Sequence, residues 1–196
     1  MKRSLLALTL AAALPFAAAH AAEGISYNYV EGGYSATNGD GDADADGFGA
    51  NASFAFHPNF HVFGGYLNQE IDDTDRDFDQ FRVGVGYNHE ISPRADLVTR
   101  IAYEKVDAGR DLLGNRIDPD GYSAEVGVRG ALTTNFEGYA MAGYEDYGSD
   151  DGFDYEGDFY GRLGAQLKFN PNWGVSGDVK FADGDTQWFV GPRFTW

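Results

Sequence analysis

The chain of 196 residues contains 31 acidic and 14 basic residues, which gives a formal net charge of −17 at pH 7. This excess of negative charge argues against nucleic acid as a partner, because the phosphates would repel the chain. The length favours a single domain. The sequence contains no cysteine, so the fold must close its backbone hydrogen bonds without disulfide bonds.

The N-terminal residues 1–21 have the layout of a secretory signal peptide. The basic start MKR precedes an apolar run and then the small-residue sequence Ala19-His20-Ala21, which predicts cleavage before Ala22. The apolar run is too short for a transmembrane helix, and no later segment offers the ~20 consecutive apolar residues that such a helix needs. We therefore expect a mature chain, residues 22–196, that is exported as one domain without a helical anchor.

Alternation of apolar and polar side chains with a two-residue period predicts strands along the mature chain. After a first strand near Tyr29, the clearest segment sets five apolar side chains on one face, Phe48, Ala50, Ala52, Phe54 and Phe56. Further strands follow near Phe63 and Met141 and in five segments with clear faces, 81–88, 122–132, 159–169, 173–181 and 188–196. Near Tyr29, Phe63 and Met141 either face is defensible, so no side is assigned there.

Turn signals divide these strands into short and long connections. Residues such as Pro, Asn and Ser mark four short hairpin turns, at 57–59, 91–94, 133–135 and 170–172, because these residue types favour turn geometry. The other five connections are mostly longer and rich in Asp and Gly, near 38–46, 71–77, 107–120, 147–157 and 183–185. Five loops on one side and four turns on the other predict ten antiparallel strands.

The polar face of the strands decides between a soluble sandwich and a transmembrane barrel. In a barrel that face lines a narrow interior, where unpaired charges are costly. The strand charges are close to balanced: Arg82, Arg100, Arg129, Arg162, Lys168, Lys180 and Arg193 against Glu31, Glu104, Glu125, Glu137 and Asp178. The excess acid lies instead in the five loops at one end. This segregation predicts an all-β fold, a transmembrane antiparallel up-and-down β-barrel.

Aromatic residues gather at the strand ends. One group lies on the short-turn side, Phe60, Tyr87, Phe136, Phe169, Trp173 and Trp196, and another nearer the long loops, Tyr66, Tyr103, Tyr122, Phe159, Phe181 and Trp188. Two girdles around an apolar band match the two interfaces of a bilayer. The chain stops on PRFTW, and a last strand ending in Phe194 and Trp196 resembles the signal read by the outer-membrane barrel assembly machinery. Pro192 cannot donate to the sheet, so we expect a bulge there.

Four stretches together resemble a known family: the leader MKRSLLALTLAAALPFAAA, the opening SYNYVEGGY, the hairpin HPNFHVFGGY and the terminal VGPRFTW. They are similar to small outer-membrane barrel proteins of gammaproteobacteria, a family described as diffusible-signal-regulated, quorum-factor-like and vesicle-associated. More loosely, the chain resembles OmpA- and OmpX-type barrels. The resemblance spans essentially the whole chain and implies the fold and the outer-membrane location. It brings no catalytic or ligand residues, and its pattern allows eight strands as well as ten.

No residue pattern indicates catalysis, and no catalytic, cofactor-binding or metal-ligating residue is assigned. His20 leaves with the signal peptide, and His57, His61 and His89 fall beside the short turns, where turn polarity explains them better than a metal site does. Small barrels fill with side chains. We therefore expect a structural or surface-interaction role, in adhesion, biofilms, the envelope or vesicles, for a monomer that contacts outer-membrane lipids and lipopolysaccharide. The alternative is a narrow porin-like channel for small solutes, for which interior glycines would make room.

The stretch NGDGDADADG, residues 38–47, resembles the first half of a calcium-binding EF-hand loop. A loop that starts at Asp42 has acidic residues at its third and fifth positions and Gly47 at its sixth. Ser53, however, stands where the twelfth position needs a glutamate, and the intervening FGANAS fits a strand. We interpret the stretch as one of five acidic outer loops. Weak binding of calcium or magnesium, bridging to lipopolysaccharide phosphates, is a residual hypothesis.

Overall fold

The computed structural model describes residues 21–39, 44–71, 76–107, 109, 118–148 and 157–196. The predicted signal peptide up to residue 20 and the middle of four acidic loops lie outside these residues. The described residues form ten strands: β1 (Tyr29–Asn38), β2 (Ala45–His57), β3 (Phe60–Ile71), β4 (Arg76–Ser92), β5 (Ala95–Asp107), β6 (Asp120–Ala131), β7 (Phe136–Tyr147), β8 (Asp158–Lys168), β9 (Trp173–Ala182) and β10 (Asp185–Thr195). Among them there is no helix long and apolar enough to cross a membrane.

The ten strands close into one antiparallel barrel. Each strand pairs with its neighbour in sequence, and β1 pairs with β10 to complete the ring. Closure leaves no strand edge without a partner, which is what a sheet surrounded by lipid requires. The predicted all-β barrel with ten strands is therefore confirmed, and the eight-stranded alternative is wrong.

The connections differ between the two ends of the barrel. We call the end with the four short turns the turn end, and the opposite end, where the other five connections lie, the loop end. The connection between β9 and β10 is a tight turn formed by Asp183 and Gly184, with φ angles of 42° and 87°. Positive φ at both positions belongs to the hairpin turn that an Asp-Gly pair favours. The N-terminal residues 21–28 and Trp196 lie at the turn end.

Side chains alternate between the lumen and the outer surface, as the two-residue period predicts. Val126 is 37% exposed on the outer surface, whereas its neighbour Glu125 is 2% exposed in the lumen. The structure also assigns the three segments that the pattern left open: Tyr29, Phe63 and Met141 all face inward. The outer surface is consequently apolar along the strands, and the lumen is polar.

The predicted bulge at Pro192 is wrong. β1 and β10 hold a single register on both sides of Pro192, and β9 passes it with Val175 directly opposite. The missing N–H group interrupts the hydrogen-bond ladder without requiring an extra residue. Register shifts occur instead beside two short turns, at the end of β2 near His57 and at the end of β4 near Ser92.

Aromatic rings contact one another at both ends of the barrel. At the turn end the ring centroids of Phe60 and Tyr87 are 5.1 Å apart. Trp196, also at this end, stacks on Phe194 at 6.0 Å. At the loop end a comparable contact joins Tyr103 to Tyr122 at 5.7 Å. The two groups are arranged as the predicted girdles require.

Candidate functional site in the barrel lumen

The lumen contains a dense set of charged side chains. Each of the twelve strand charges predicted from the sequence makes an ion pair, and all but one of these pairs join two predicted residues. The exception is Lys180, which pairs with Glu145. Glu145 and Asp96 are buried lumen acids that the sequence pattern missed. With these two added to the five predicted acids, seven acidic side chains stand against seven basic ones.

Glu125 on β6 is the centre of the first group of charges. Its carboxylate oxygens lie 3.4 Å from Arg82 and 3.2 Å from Arg100. The Tyr160 hydroxyl donates a further hydrogen bond of 3.0 Å. Arg82 also reaches Glu104 at 3.2 Å, so the group spans three adjacent strands, β4 to β6. Two arginines and a hydroxyl compensate the buried carboxylate, as buried charges require.

Glu137 on β7 is the centre of a second group nearer the turn end. Arg129 donates two hydrogen bonds to one of its carboxylate oxygens, and Lys168 lies 3.5 Å from the other. Arg193 is 3.9 Å from Glu137 and pairs more closely with Glu31, at 2.6 Å. These contacts connect β6, β7 and β8 with the closing pair of strands, β1 and β10. The ion pairs therefore tie together strands that are far apart in sequence.

Inward-facing glycines make room for aromatic side chains from other strands. The Tyr160 ring occupies the space that a side chain at Gly143 would need, with a ring atom 2.2 Å from an ideal Cβ position. Tyr139 lies in the same way over Gly164, also at 2.2 Å. At these two positions the glycines do not widen a passage, because tyrosine fills the space that they leave.

The N-terminal residues Ala22–Asn28, which we call the N-terminal plug, fold into the turn end of the lumen. Ala22, Ile25 and Tyr27 are at most 8% exposed. They pack in one apolar cluster with Val98, Ala131 and Met141. Burial of this cluster at the barrel mouth anchors a segment that has no strand of its own.

Hydrogen bonds attach the N-terminal plug to the surrounding barrel. The Glu23 N–H donates to the Pro93 carbonyl at 2.9 Å, and Lys168 Nζ donates to the Gly24 carbonyl at 2.6 Å. The Tyr27 ring stacks on His61 with centroids 4.5 Å apart, and its hydroxyl donates to Asp96 at 2.9 Å. Burial raises the pKa of Tyr27 well above its usual value, so its hydroxyl stays protonated and available as a donor.

Three cavities border the described residues. Two small ones, of about 60 and 80 Å³, lie in the middle of the lumen around Arg82, Arg162 and Asp178. Spaces of this size suit a few water molecules. A larger one of about 460 Å³, which we call the vestibule, lies at the loop end between apolar side chains such as Phe78 and the Glu145–Lys180 pair. The largest of these three spaces therefore lies at the loop end.

The histidines weighed as a periplasmic metal site are not brought together. His61 is fully buried against Tyr27, His57 is exposed at the end of β2, and His89 stacks on Tyr87 near the end of β4. Within the described ranges, no group of three or more His, Cys, Asp or Glu side chains is arranged to hold a metal ion. Of the EF-hand-like stretch, residues 40–43 lie outside the described residues, and β2 begins at Ala45. The strand therefore begins inside the twelve-residue loop from Asp42 to Ser53 and continues to His57, where an EF-hand's second helix would begin.

The chain matches a protein-family model described as "Outer membrane protein beta-barrel domain" over residues 4–152. This match covers most of the chain and agrees with the closed ten-stranded sheet. No curated protein sequence matches the chain.

Solved structures with the same kind of architecture are similar at low sequence identity. The translocator domain of the autotransporter NalP from Neisseria meningitidis aligns with 98% of this chain and 94% of its own, at 12% identity and a TM-score of 0.50. The KdgM porin in complex with disordered oligogalacturonate aligns over 88% and 99%, at 10% identity and a TM-score of 0.44. Ail of Yersinia pestis, an attachment invasion locus protein, aligns over 87% and 100%, at 13% identity and a TM-score of 0.38. At these identities the similarity concerns the fold alone.

Proposed function

The chain belongs to the outer membrane protein β-barrel domain family, and from that premise we propose that it is a closed, non-catalytic barrel with a structural or surface-interaction role. Its place is the bacterial outer membrane. The role would lie in adhesion, biofilm formation, the envelope or outer-membrane vesicles, and it would be performed by the outer rim and not by the lumen.

The single observation that carries this proposal is the filled lumen. Arg82, Arg100 and Glu125 pair across its middle, and the N-terminal plug occupies its turn end. A solute would have to break several buried ion pairs to pass, and separating such pairs is costly. The same network supports the absence of catalysis, because the lumen acids are engaged by basic partners or by hydroxyl and N–H donors.

The proposed orientation follows from charge. The acidic loops would face outward, where they remain solvated and meet lipopolysaccharide, with divalent cations bridging to its phosphates. The turn end would face the periplasm, which the chain reaches by means of its cleaved leader. Phe194 and Trp196 on the last strand would be read by the barrel assembly machinery, and the closed ring of strands favours a monomer.

Conductance in a planar lipid bilayer tests the closed lumen. We expect purified protein to insert without discrete current steps, while a general porin added to the same bilayer conducts. Stable single-channel steps from the purified barrel would contradict the closed lumen and favour the channel described below.

The surface role is tested by neutralising the loops. Asp and Glu residues between 148 and 157 are replaced by Asn and Gln in cells that otherwise lack the protein. We expect reduced adhesion or biofilm formation at unchanged levels of folded barrel. The control carries the same number of replacements at exposed polar residues of the turn end, such as Ser92 and Thr134. Unchanged adhesion in the loop variant would argue against the surface-interaction role and leave the structural one.

A second candidate, a narrow porin-like channel, is favoured by the arrangement of the cavities. The vestibule and the 80 Å³ cavity share Gln80 and Gln187 as lining residues, and the 80 Å³ cavity shares Arg82 and Arg162 with the 60 Å³ cavity. A row of spaces therefore leads from the loop end to the middle of the lumen. Rearrangement of the arginine side chains and of the N-terminal plug would be needed to continue it.

A further inference from the structure

Asp96 is unusual among the seven lumen acids. The other six each lie within ion-pair distance of a lysine or arginine, whereas Asp96 has no such partner among the described residues. Its side chain is fully buried. Arg129 lies opposite Asp96 on β6, but its guanidinium pairs with Glu137. Because a buried carboxylate without a direct ion pair is unfavourable, a further positive charge beside Asp96 would stabilise the fold.

Both carboxylate oxygens of Asp96 are bound by the N-terminal plug. The Ala22 nitrogen donates to Oδ1 at 2.9 Å, and the Tyr27 hydroxyl donates to Oδ2 at 2.9 Å. In the structure the Ala22 donor is a peptide N–H, because the chain continues to Ala21. The Ala21–Ala22 bond is also the bond at which the sequence predicts removal of the leader.

We propose that Asp96 is the binding site for the N-terminal ammonium group of the mature chain. An envelope protease that removes signal peptides hydrolyses the Ala21–Ala22 bond with one water molecule. The new carboxylate remains on the leader, and the released α-amine of Ala22 is protonated. The ammonium group then replaces the peptide N–H beside Oδ1 and supplies the positive charge that Asp96 lacks.

The position of Ala22 suits this role. Ala22 is 1% exposed and packs in the same cluster as Val98 and Ala131, so its backbone nitrogen is held at the carboxylate by apolar packing. The next residue, Glu23, is held in place by the hydrogen bond from its N–H group to the Pro93 carbonyl. The ion pair would therefore form only in a chain that begins at Ala22, and processing of the leader would stabilise closure of the turn end.

This inference rests on the proposed leader cleavage and does not depend on the absence of a channel. A barrel that conducts would contradict the proposed function and leave the Asp96 ion pair intact. The first measurement is accordingly the intact mass of protein extracted from outer membranes. We expect a chain that starts at Ala22, and a mature chain with any other first residue would overturn the inference.

The second experiment is a double-mutant cycle on refolded protein. Four chains with defined N-termini are compared: one starting at Ala22, one with a single glycine added before Ala22, and the same two with Asp96→Asn. The measured quantity is the temperature at which half of the folded band is lost on a detergent gel. The cycle isolates the interaction between the N-terminal charge and Asp96.

We expect the added glycine to lower this temperature clearly in the Asp96 background and only slightly in the Asp96→Asn background. In the Asp96 background the glycine moves the ammonium group away from the carboxylate. In the Asp96→Asn background there is no carboxylate charge with which the ammonium group could pair. Equal losses in both backgrounds, or no loss in either, would overturn the ion pair. Tyr27→Phe, which removes the other donor without changing the charge, should retain the full effect of the added glycine.

Amine labelling covers the possibility that an Asp96 variant fails to refold. The folded chain starting at Ala22 is treated near neutral pH with an amine-selective reagent and digested for mass spectrometry. We expect the Ala22 amine to be labelled several-fold more slowly than in the denatured chain, while partly exposed Lys105 serves as the reactive reference. Equal labelling of the Ala22 amine in folded and denatured protein would overturn the inference.

Discussion

The polar lumen is filled differently in the half of the barrel near the turn end, the turn half, and in the half near the loop end, the loop half. In the turn half, the N-terminal plug and the ion pairs around Glu137 fill the space. In the loop half, the lumen widens into the vestibule of about 460 Å³, with the Glu145–Lys180 pair among the residues that line it. The barrel wall itself is the same antiparallel sheet throughout.

The difference shows that strand number does not decide whether a small barrel is open. Inward side chains and a segment outside the sheet close one half. We expect the removal of lumen groups to lower the free energy of unfolding more in the turn half than in the loop half. Buried pairs far from water are the most sensitive, because the remaining partner has no solvent to replace the lost charge. The following variants test this gradient.

The largest effect is expected from Glu137→Ala in the turn half. Removal of this carboxylate leaves Arg129 and Lys168 without their shared partner in a buried site. We expect the free energy of unfolding to fall by about 3–5 kcal/mol, the usual result of breaking a buried ion pair. The measurement is urea-induced unfolding of the refolded barrel in detergent.

The matched control for this variant is Glu70→Ala, which removes an exposed glutamate near the loop end of β3. A surface carboxylate contributes ~0–1 kcal/mol, so the control should unfold close to the unchanged protein. Similar losses in the two variants would show that burial in the lumen does not determine the sensitivity.

Val126→Arg tests the outer surface, where the two halves should not differ. Val126 lies on the lipid-facing side of β6, well away from both strand ends. A charge near the bilayer midplane costs about 2–4 kcal/mol, and near an interface ~0–1 kcal/mol. We expect a loss of about 2–4 kcal/mol for Val126→Arg and of ~0–1 kcal/mol for Leu132→Arg beside the turn. The measurement is unfolding in lipid vesicles. Equal small effects at both positions would argue that this face does not contact lipid.

The sequence was sufficient to predict the barrel, its ten strands and the lumen charges that lie on cleanly alternating strands, such as Arg82 and Glu125. It left the faces open where aromatic residues occur on both sides, as in β7, where Tyr139 faces inward and Tyr144 faces outward. The physical reason is that an inward tyrosine requires a glycine on a neighbouring strand, as Gly164 provides for Tyr139. The residues that lie opposite each other on neighbouring strands depend on the register, which the alternation pattern does not give.

The buried acids at the two ends were harder to identify for the same reason. Asp96 follows a turn signal and Glu145 precedes an acidic loop, so composition assigns both to the exposed ends of strands. In the N-terminal plug, Ile25 and Tyr27 alternate with Ser26 and Asn28 as residues of a strand would, but the plug pairs with no strand, because its backbone bonds to a turn carbonyl and to side chains. Its role depends on the width of the barrel mouth, which no local pattern records.

Lys180→Met examines the loop half directly. Lys180 pairs with Glu145 at 2.6 Å beside the vestibule. We expect a loss of about 1.5–3 kcal/mol, the range for a hydrogen bond to a charged group, and thus a smaller loss than for Glu137→Ala, since water from the vestibule reaches the remaining carboxylate. Urea unfolding at low and high salt is the measurement. A loss equal to that of Glu137→Ala would contradict the proposed gradient between the halves.

Tyr160→Phe probes the boundary between the two halves, and its effect should be the smallest. The Tyr160 hydroxyl donates to Glu125 at 3.0 Å, while its ring lies 4.6 Å from Lys180 Nζ. Loss of one hydroxyl donor, with Arg82 and Arg100 still in place, should lower the free energy of unfolding by ~0.5–1.5 kcal/mol. Tyr122→Phe on the outer surface is the control and should be near neutral.

The double variant of Tyr160→Phe and Lys180→Met tests whether the two halves are coupled. If its loss of unfolding free energy differs from the sum of the two single losses, the boundary tyrosine couples the closed half to the vestibule. Strict additivity would show that the two halves are independent.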